Sequence, residues 1–431
     1  MKARRRIEAF YHGRLVGELA TNGQQTLFQY GPDWLRSGED LSPLVMPRRE
    51  APILGDDSGF NYLPPLFADS LPDRYGRQIM MAWFKNKHGE SYTPTPLDFL
   101  AYVGEAGMGA LTYRPVADAF PEKTLRQLDL HSQERLVRAV ETGGLTDSDF
   151  IEKARRAAHT VGGAFPKVLC AEDPATKMLY EDDPRLDRSF RRWIIKIAQE
   201  TRPLAAEIEF AFNRLAKAAG IEVPESGLMR SQDENKRDHV HFAIERFDWQ
   251  EGERVHFSSL ASLTGVAAGR LQTDYLDFFS ATHELTRDVS QVEEAFRRMV
   301  FNVAVFNTDD HAKNHAFLYR KGKWSLSPAF DITFWSGTPG AEAIRAMPIL
   351  GQSSGITIRQ MLKAAERGGL TSGRRIAEEV LTSVIESRKT FTAHRLDLSR
   401  LDPVLQQIIT HAESLKLPRK LSRRSASGKR P

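Results

Sequence analysis

The sequence predicts an α+β protein of two lobes, one small and strand-rich, the other mostly helical, preceded by a β-rich accessory subdomain. Three observations lead there. Between His159 and Trp249 apolar residues alternate in strand fashion around a single helical stretch. From Ser258 to about Leu415 apolar residues recur at helical spacing. Near the N-terminus, short apolar segments break at His12-Gly13 and Asn22-Gly23, and Asn-Gly between apolar runs signals a hairpin. The length of 431 residues agrees, since roughly 150 residues per domain gives about three units.

Residues 1–120 form the accessory subdomain. Phe10, Leu15, Leu19, Leu27 and Tyr30 mark its first strands, and a Pro-rich piece runs from Tyr62 to Pro72. A helix from about Asp73 to Lys87 follows, and Leu111-Thr112-Tyr113 closes the region. Residues 121–158 read as a helical connector, because Leu125, Leu128, Leu136 and Val140 recur at near-helical spacing. Residues 159–248 make the small lobe, with strands expected at Lys167–Cys170, Trp193–Ala198 and His239–Phe247. Its helix, about Leu204–Ala219, ends at Gly220 with Pro224 beyond, the usual stop pattern. Residues 249–415 make the helical lobe. Val292, Phe296, Met299, Val300 and Val303 form one apolar stripe, and Ser290 with Glu293 reads as a capping box. Residues 416–431 are a basic tail expected to be disordered.

Composition excludes several classes. An apolar fraction of 41% with 27% charged residues is that of an ordinary folded chain, not a disordered or collagen-like one. No apolar run approaches the roughly 18–20 residues of a membrane span. The N-terminus is charged without an apolar core, so it does not read as a secretory signal. Cys170 is the only cysteine, which leaves no cysteine zinc site and no intrachain disulfide, and fits a reducing cytoplasm. The net charge of +4 is uneven. The last sixteen residues carry +7, which leaves −3 on the rest, so the body is not a broadly basic nucleic-acid binder.

The chemistry concentrates in Asn307-Thr308-Asp309-Asp310-His311-Ala312-Lys313-Asn314, a polar cluster between an apolar helix and a short strand. Phosphoryl transfer needs a carboxylate to take the acceptor proton, and an Asn with a second carboxylate to hold magnesium. Asp309 and Asn314 stand five apart, as base and Asn do on a kinase loop, and Asp331 follows Asn314 by seventeen residues. Alone, such spacing is common and fits a polar loop capping two helices equally well. Lys196 lies inside the apolar run Trp193-Ile194-Ile195-Lys196-Ile197, where a lysine is costly unless paired. It either reaches nucleotide phosphates or snorkels from an edge strand. Glu207 and Glu209 on the next helix are its candidate partners. Gly162 and Gly163 form a turn leading to Lys167, where backbone amides can approach phosphate. His311 reads as a loop-orienting residue near the cofactor, since no second His or Cys stands at zinc spacing.

Together these parts resemble the HipA-type serine/threonine kinases, the toxin component of bacterial type II toxin–antitoxin systems. The resemblance runs over roughly residues 7–415: LPPLFADSLPDRYGR, VGEAGMGALTYRP, VGGAFPK, WIIKIA, AEIEFAFNRLAKAAGIEVPES, IERFD, NTDDHAKN and LSPAFDI occur in the family's order. It implies a protein-kinase-like, two-lobed HipA-like fold using ATP and Mg²⁺. By the resemblance, Asp309 is the catalytic base and Asn314 and Asp331 bind the metal. Lys196 contacts the phosphates, Lys167 ends the ATP-loop, and Glu245 and Phe247 sit at the adenine hinge. Thr160 takes the place of the serine that family members autophosphorylate. The family's substrates include aminoacyl-tRNA synthetases. Its partner is a small helix-turn-helix antitoxin, through which DNA is contacted indirectly, and no membrane partner is implied.

Two other readings compete. Asp309-x-His311-x-x-Asn314 also resembles the loop of phosphoinositide-type lipid kinases, which the basic tail would suit. The chain would alternatively be a non-catalytic scaffold for an antitoxin–DNA complex, though such a scaffold has no need of Lys196, Asp309, Asn314 and Asp331 together.

Overall fold

The structure, a computed structural model, describes residues 6–22, 25–72, 74–115, 126–143, 165–267, 273–334 and 343–416. The first sheet holds β1 (Arg6–Tyr11), β2 (Arg14–Thr21), β3 (Thr26–Tyr30), β4 (Ile53–Gly55) and β5 (Leu111–Pro115) in the order β4-β3-β2-β1-β5, all antiparallel. His12 and Gly13, both at positive φ (47° and 75°), close the β1–β2 hairpin, which suits the twist of the paired strands. One face buries Ile7, Ala9, Val16, Leu19 and Phe28 against the helices Arg74–His88 and Pro96–Val103, filling the subdomain's own core.

The second sheet contains β6 (Lys167–Glu172), β7 (Leu179–Glu181), β8 (Arg191–Lys196), β9 (Ser226–Gln232) and β10 (Asp238–Glu245), ordered β7-β6-β8-β10-β9 and antiparallel throughout. The Ala205–Ala218 helix joins β8 to β9 and packs on this sheet. Its C-cap region turns through Gly220 at φ 80°, as the sequence indicates. The expected connector helix is shorter, Leu130–Glu141. Leu128 belongs instead to an extended piece whose N–H donates to the Leu179 carbonyl at 2.7 Å. β7 has only three residues and both β7 and β9 are half-exposed without a clean apolar alternation, which hides them from a periodicity reading.

The third part is less purely helical than expected. After the short ribbon β11 (Trp249–Gln250) and β12 (Glu253–Arg254), the strands β13 (His256–Ser259), β14 (Ala316–Arg320) and β15 (Lys323–Leu326) form a three-stranded sheet. Around it lie the helices Tyr275–Thr286, Val289–Ala304, Ile358–Arg367, Gly373–Ile385 and Leu398–Ser414, sharing the largest core. The Val289–Ala304 helix buries the stripe Val292, Phe296, Met299, Val300 and Val303, as its sequence predicts. Its cap differs: Asp288, not Ser290, is the N-cap. The Asp288 carboxylate accepts from both the amide and hydroxyl of Ser290, so the Ser290 side chain is spent locally.

Candidate active site

The site lies where the second sheet faces the loop between the Val289–Ala304 helix and β14. Lys196 stands on β8, the middle strand of its sheet, with its side chain buried; the edge-strand alternative is therefore excluded. Its ammonium bonds the carboxylates of both Glu209 and Asp331. Of the two candidate glutamates, Glu209 faces inward at 4% exposure, whereas Glu207 pairs with Arg400 at 3.1 Å. Lys167 sits directly opposite Lys196 in the β6–β8 register, 4% exposed, so both lysines stand on one face of the sheet. Two like charges on adjacent strands are tolerable because Glu209 and Asp331 bond Lys196 and also attract Lys167.

These surroundings set the charge states. Burial works against the Asp331 carboxylate, but Lys196 and Lys167 outweigh it and hold its pKa well below the usual range. Lys196 is desolvated, yet the two carboxylates beside it keep it firmly protonated. Asp331 adopts φ 54°, a left-handed conformation uncommon for a non-glycine residue and a mark of a constrained site. Phe330 before it stacks on Phe247 at 5.5 Å between ring centroids.

On the loop, Asp309 is half exposed, and partial burial with the nearby Asp331 charge raises its carboxyl pKa. The Asn314 side-chain amide donates to the Asp309 carbonyl at 2.8 Å, and the Asn314 N–H donates to the His311 carbonyl at 2.8 Å. These bonds close the six residues Asp309–Asn314 into one compact turn. His311 Nε2 lies 4.0 Å from Asp309 Oδ1, and its buried Nδ1 has no hydrogen-bond partner among the described residues. The loop thus places Asp309, His311 and Asn314 together, with Asp331, Lys196, Lys167 and Glu209 facing them.

Of the two residues expected at a hinge, Glu245 ends β10 and Phe247 lies just beyond it. Glu245, at the end of β10, pairs its carboxylate with Arg191 at 2.8 Å, and its N–H donates to the Glu225 carbonyl. Its side chain is therefore committed to the sheet. Phe247 is buried among Leu169, Ile194, Phe242 and Ile244. Thr160, Gly162 and Gly163 lie outside the described residues, as do residues 417–431 of the tail. Cys170 is fully buried and its thiol is pushed up by desolvation, so it is inert.

Several residues that build the site carry no signature in the sequence. Asp310 is fully buried and accepts from Tyr275 Oη at 2.6 Å and Arg345 Nη1 at 2.5 Å. Asn302 donates to Tyr275 Oη, and Asn307 donates to Asn302 Oδ1, each at 3.0 Å. The Asp309-Asp310 doublet is readable, but which carboxylate points inward is set by the fold.

The chain's donor set suits a magnesium ion. The Asn314 amide nitrogen is committed to Asp309, which leaves its oxygen for a cation, and Asp331 is ionised. Among the described residues no three His, Cys, Asp or Glu side chains are grouped to hold a metal alone, so nucleotide phosphate oxygens would complete the shell.

A five-stranded antiparallel lobe with one helix, set over a helical lobe that carries a polar loop, defines a protein-kinase-like two-lobed fold. The chain belongs to the HipA-like family: the HipA-like C-terminal domain matches residues 159–390, and the HipA N-terminal domain matches residues 7–114. Over most of its length it resembles in fold the HipA of Shewanella oneidensis MR-1, solved as a toxin–antitoxin complex with HipB and operator DNA. That match has a TM-score of 0.66 at 18% identity and covers 94% of this chain and 96% of that one. A Haemophilus influenzae protein named "Putative kinase" is 27% identical over 176 residues, which is 38% of this chain and 51% of the relative. "Putative kinase Y4dM" of Sinorhizobium fredii is 24% identical over 244 residues, 54% of this chain and 59% of the relative. The chain thus spans little more than half the length of these curated relatives. No helix among the described residues is long and apolar enough to cross a membrane.

Proposed function

We propose that the protein is an ATP-dependent serine/threonine protein kinase. The observation that carries this reading is the buried Lys196 bridging Glu209 and Asp331 opposite the Asp309–Asn314 turn. A kinase needs that arrangement to hold phosphates and metal beside a base. Family membership and the kinase names of the relatives support it.

In this reading Asp309 accepts the proton of the acceptor hydroxyl. The hydroxyl oxygen then forms its bond to the γ-phosphorus as the bond to the ADP oxygen breaks. Lys196 releases part of its hold on Asp331 to contact the phosphates, and Glu209 keeps it in place. Asn314 and Asp331 would hold Mg²⁺, which when bound neutralises phosphate charge. Thr160 is the proposed autophosphorylation site. A helix-turn-helix antitoxin is the proposed partner, supported by the HipA–HipB–DNA assembly of the structural relative. The protein substrate is proposed by family resemblance alone, and the order of matched domains disfavours the lipid-kinase alternative.

The test is incubation with ATP labelled on the γ-phosphate and Mg²⁺, for the wild type and Asp309→Asn, with phosphopeptide mapping. Label on the wild type and none on a folded Asp309→Asn protein is expected. Equal turnover by Asp309→Asn removes it as the base. Label found away from Thr160 removes that residue as the self-modification site. Absence of ATP binding by calorimetry overturns the kinase reading.

A further inference from the structure

The accessory subdomain reaches into the hinge of the other two lobes. Its segment Gly104–Ala110, between the Pro96–Val103 helix and β5, lies against residues 246–257. The fully buried Asp248 accepts the Gly109 N–H at 2.7 Å and grips Arg246 through two bonds of 2.9 and 2.6 Å. Arg246 also donates to the Gly107 carbonyl at 3.2 Å and pairs with Asp182, which in turn pairs with Arg192. Arg254 donates to the carbonyls of Glu105, at 2.6 Å, and Gly107. Gly109 has φ 77°, and a Cβ there would stand 3.1 Å from the Phe257 amide nitrogen, so the segment presses backbone against backbone. Between its two glycines, Met108 is buried in the apolar cluster of Leu169, Ile194, Phe242, Ile244 and Phe247.

Four charged side chains, Asp182, Arg192, Arg246 and Asp248, are almost completely buried here. Burying that much charge is costly, and a hydrophobic substitute would often serve stability as well. What the network uniquely supplies is a fixed orientation of residues 245–248 relative to the accessory subdomain. We propose that Met108 and the Gly107–Gly109 turn are positioning elements of the nucleotide site, holding the hinge at Phe247 in its base-receiving geometry. The accessory subdomain is then part of the ATP site, not an appended module. This rests on the kinase reading above, because only then is the hinge a base-binding strip.

The unbranched Met108 side chain fills the apolar cluster around Phe247, whereas Lys196 and Asp331, at the phosphate end, are held by their own ion pair. Its loss should therefore loosen base binding and spare the chemical step. The experiment uses the full chain with Met108→Ala, Met108→Leu and Gly109→Ala, measuring ATP affinity by calorimetry, KM for ATP, kcat and the thermal midpoint. Met108→Ala is expected to weaken ATP binding and raise KM about five- to tenfold while kcat stays within about twofold. Met108→Leu, which refills the space, is expected to restore both. Gly109→Ala should act in the same direction more strongly, and if it does not fold, the two Met108 variants decide alone. A lowered midpoint with unchanged KM in Met108→Ala would reduce the segment to packing and overturn the proposal. A fall in kcat at constant KM would overturn it too. Absence of ATP binding by the wild type would overturn the kinase reading itself, a result separate from either.

Discussion

Lys196 shows how a single side chain is decided by its surroundings. A lysine in the run Trp193–Ile197 is either a snorkelling edge residue or a paired core residue, and local sequence does not choose between them. The fold chooses: β8 lies between β6 and β10, which excludes the edge-strand reading, and the mostly buried ammonium is neutralised by Glu209 and Asp331. Neither carboxylate that neutralises it is a near neighbour in sequence, and Asp331 is 135 residues away. The candidates Asp309, Asn314, Asp331 and Lys196 were readable because their spacing and residue types are chemically unusual. Asp310, Tyr275 and Arg345 were not, since a buried polar triad looks like any polar residues until the chain is folded. Removing Lys196 leaves Glu209 and Asp331 as uncompensated buried carboxylates. Lys196→Met is therefore expected to lower stability by about 3–5 kcal/mol, read as a lower urea midpoint at unchanged slope. Adding Asp331→Asn to that variant should recover part of the loss, because one of the two stranded charges is gone.

At the scale of elements, long periodic helices and fully buried strands were legible, and their edges were not. The Ala205–Ala218 and Val289–Ala304 helices follow from their apolar stripes, and β6 and β8 from their continuous burial. The edge strands β7 and β9 have weak patterns of their own and exist because β6 and β10 offer open edges to pair with. The loop carrying Asp309 depends on three elements at once. Tyr275 opens one helix, Asn302 sits late in the next, and Arg345 precedes the Met347 backbone that also approaches Asp310. Two buried hydrogen bonds converge on the Tyr275 hydroxyl. Tyr275→Phe should cost about 1–3 kcal/mol, because Asp310 and Asn302 each lose a partner. Turnover should fall with KM for ATP unchanged, since the phenol supports the loop and touches no nucleotide. Denaturation curves and steady-state kinetics on one preparation check both halves.

At the scale of the molecule, the accessory subdomain and the helical lobe are joined by a buried seam. Ser259 donates its N–H and hydroxyl to Asp69 at 2.7 and 2.8 Å, and Tyr319 on β14 packs into the accessory core. His256 on β13 lies in the same seam, fully buried beside Trp324 and Tyr11, with Nε2 3.0 Å from the Leu41 carbonyl. Sequence composition gives no hint of this junction, because its polar members are scattered through three regions of the chain. Desolvation, with a smaller opposing effect of the Leu41 bond and a repulsion from His12, lowers the His256 pKa to about 4. The folded form therefore keeps His256 neutral where the unfolded chain, at about 6.5, already binds a proton. Its contribution is complete above pH about 6.5 and is lost as pH falls from there towards about 4. His256→Gln retains a donor for Leu41 but cannot titrate. The difference in thermal midpoint between wild type and His256→Gln, followed from pH 7 down to about 4, should shift steadily in favour of the variant. Because the seam ties both parts together, the wild type should lose the two in one transition, with tryptophan fluorescence (from six tryptophans, Trp34 in the accessory core and Trp324 in the seam among them) and helical circular dichroism coinciding at each pH. A parallel pH dependence in His256→Gln would place the acid sensitivity in the carboxylates instead.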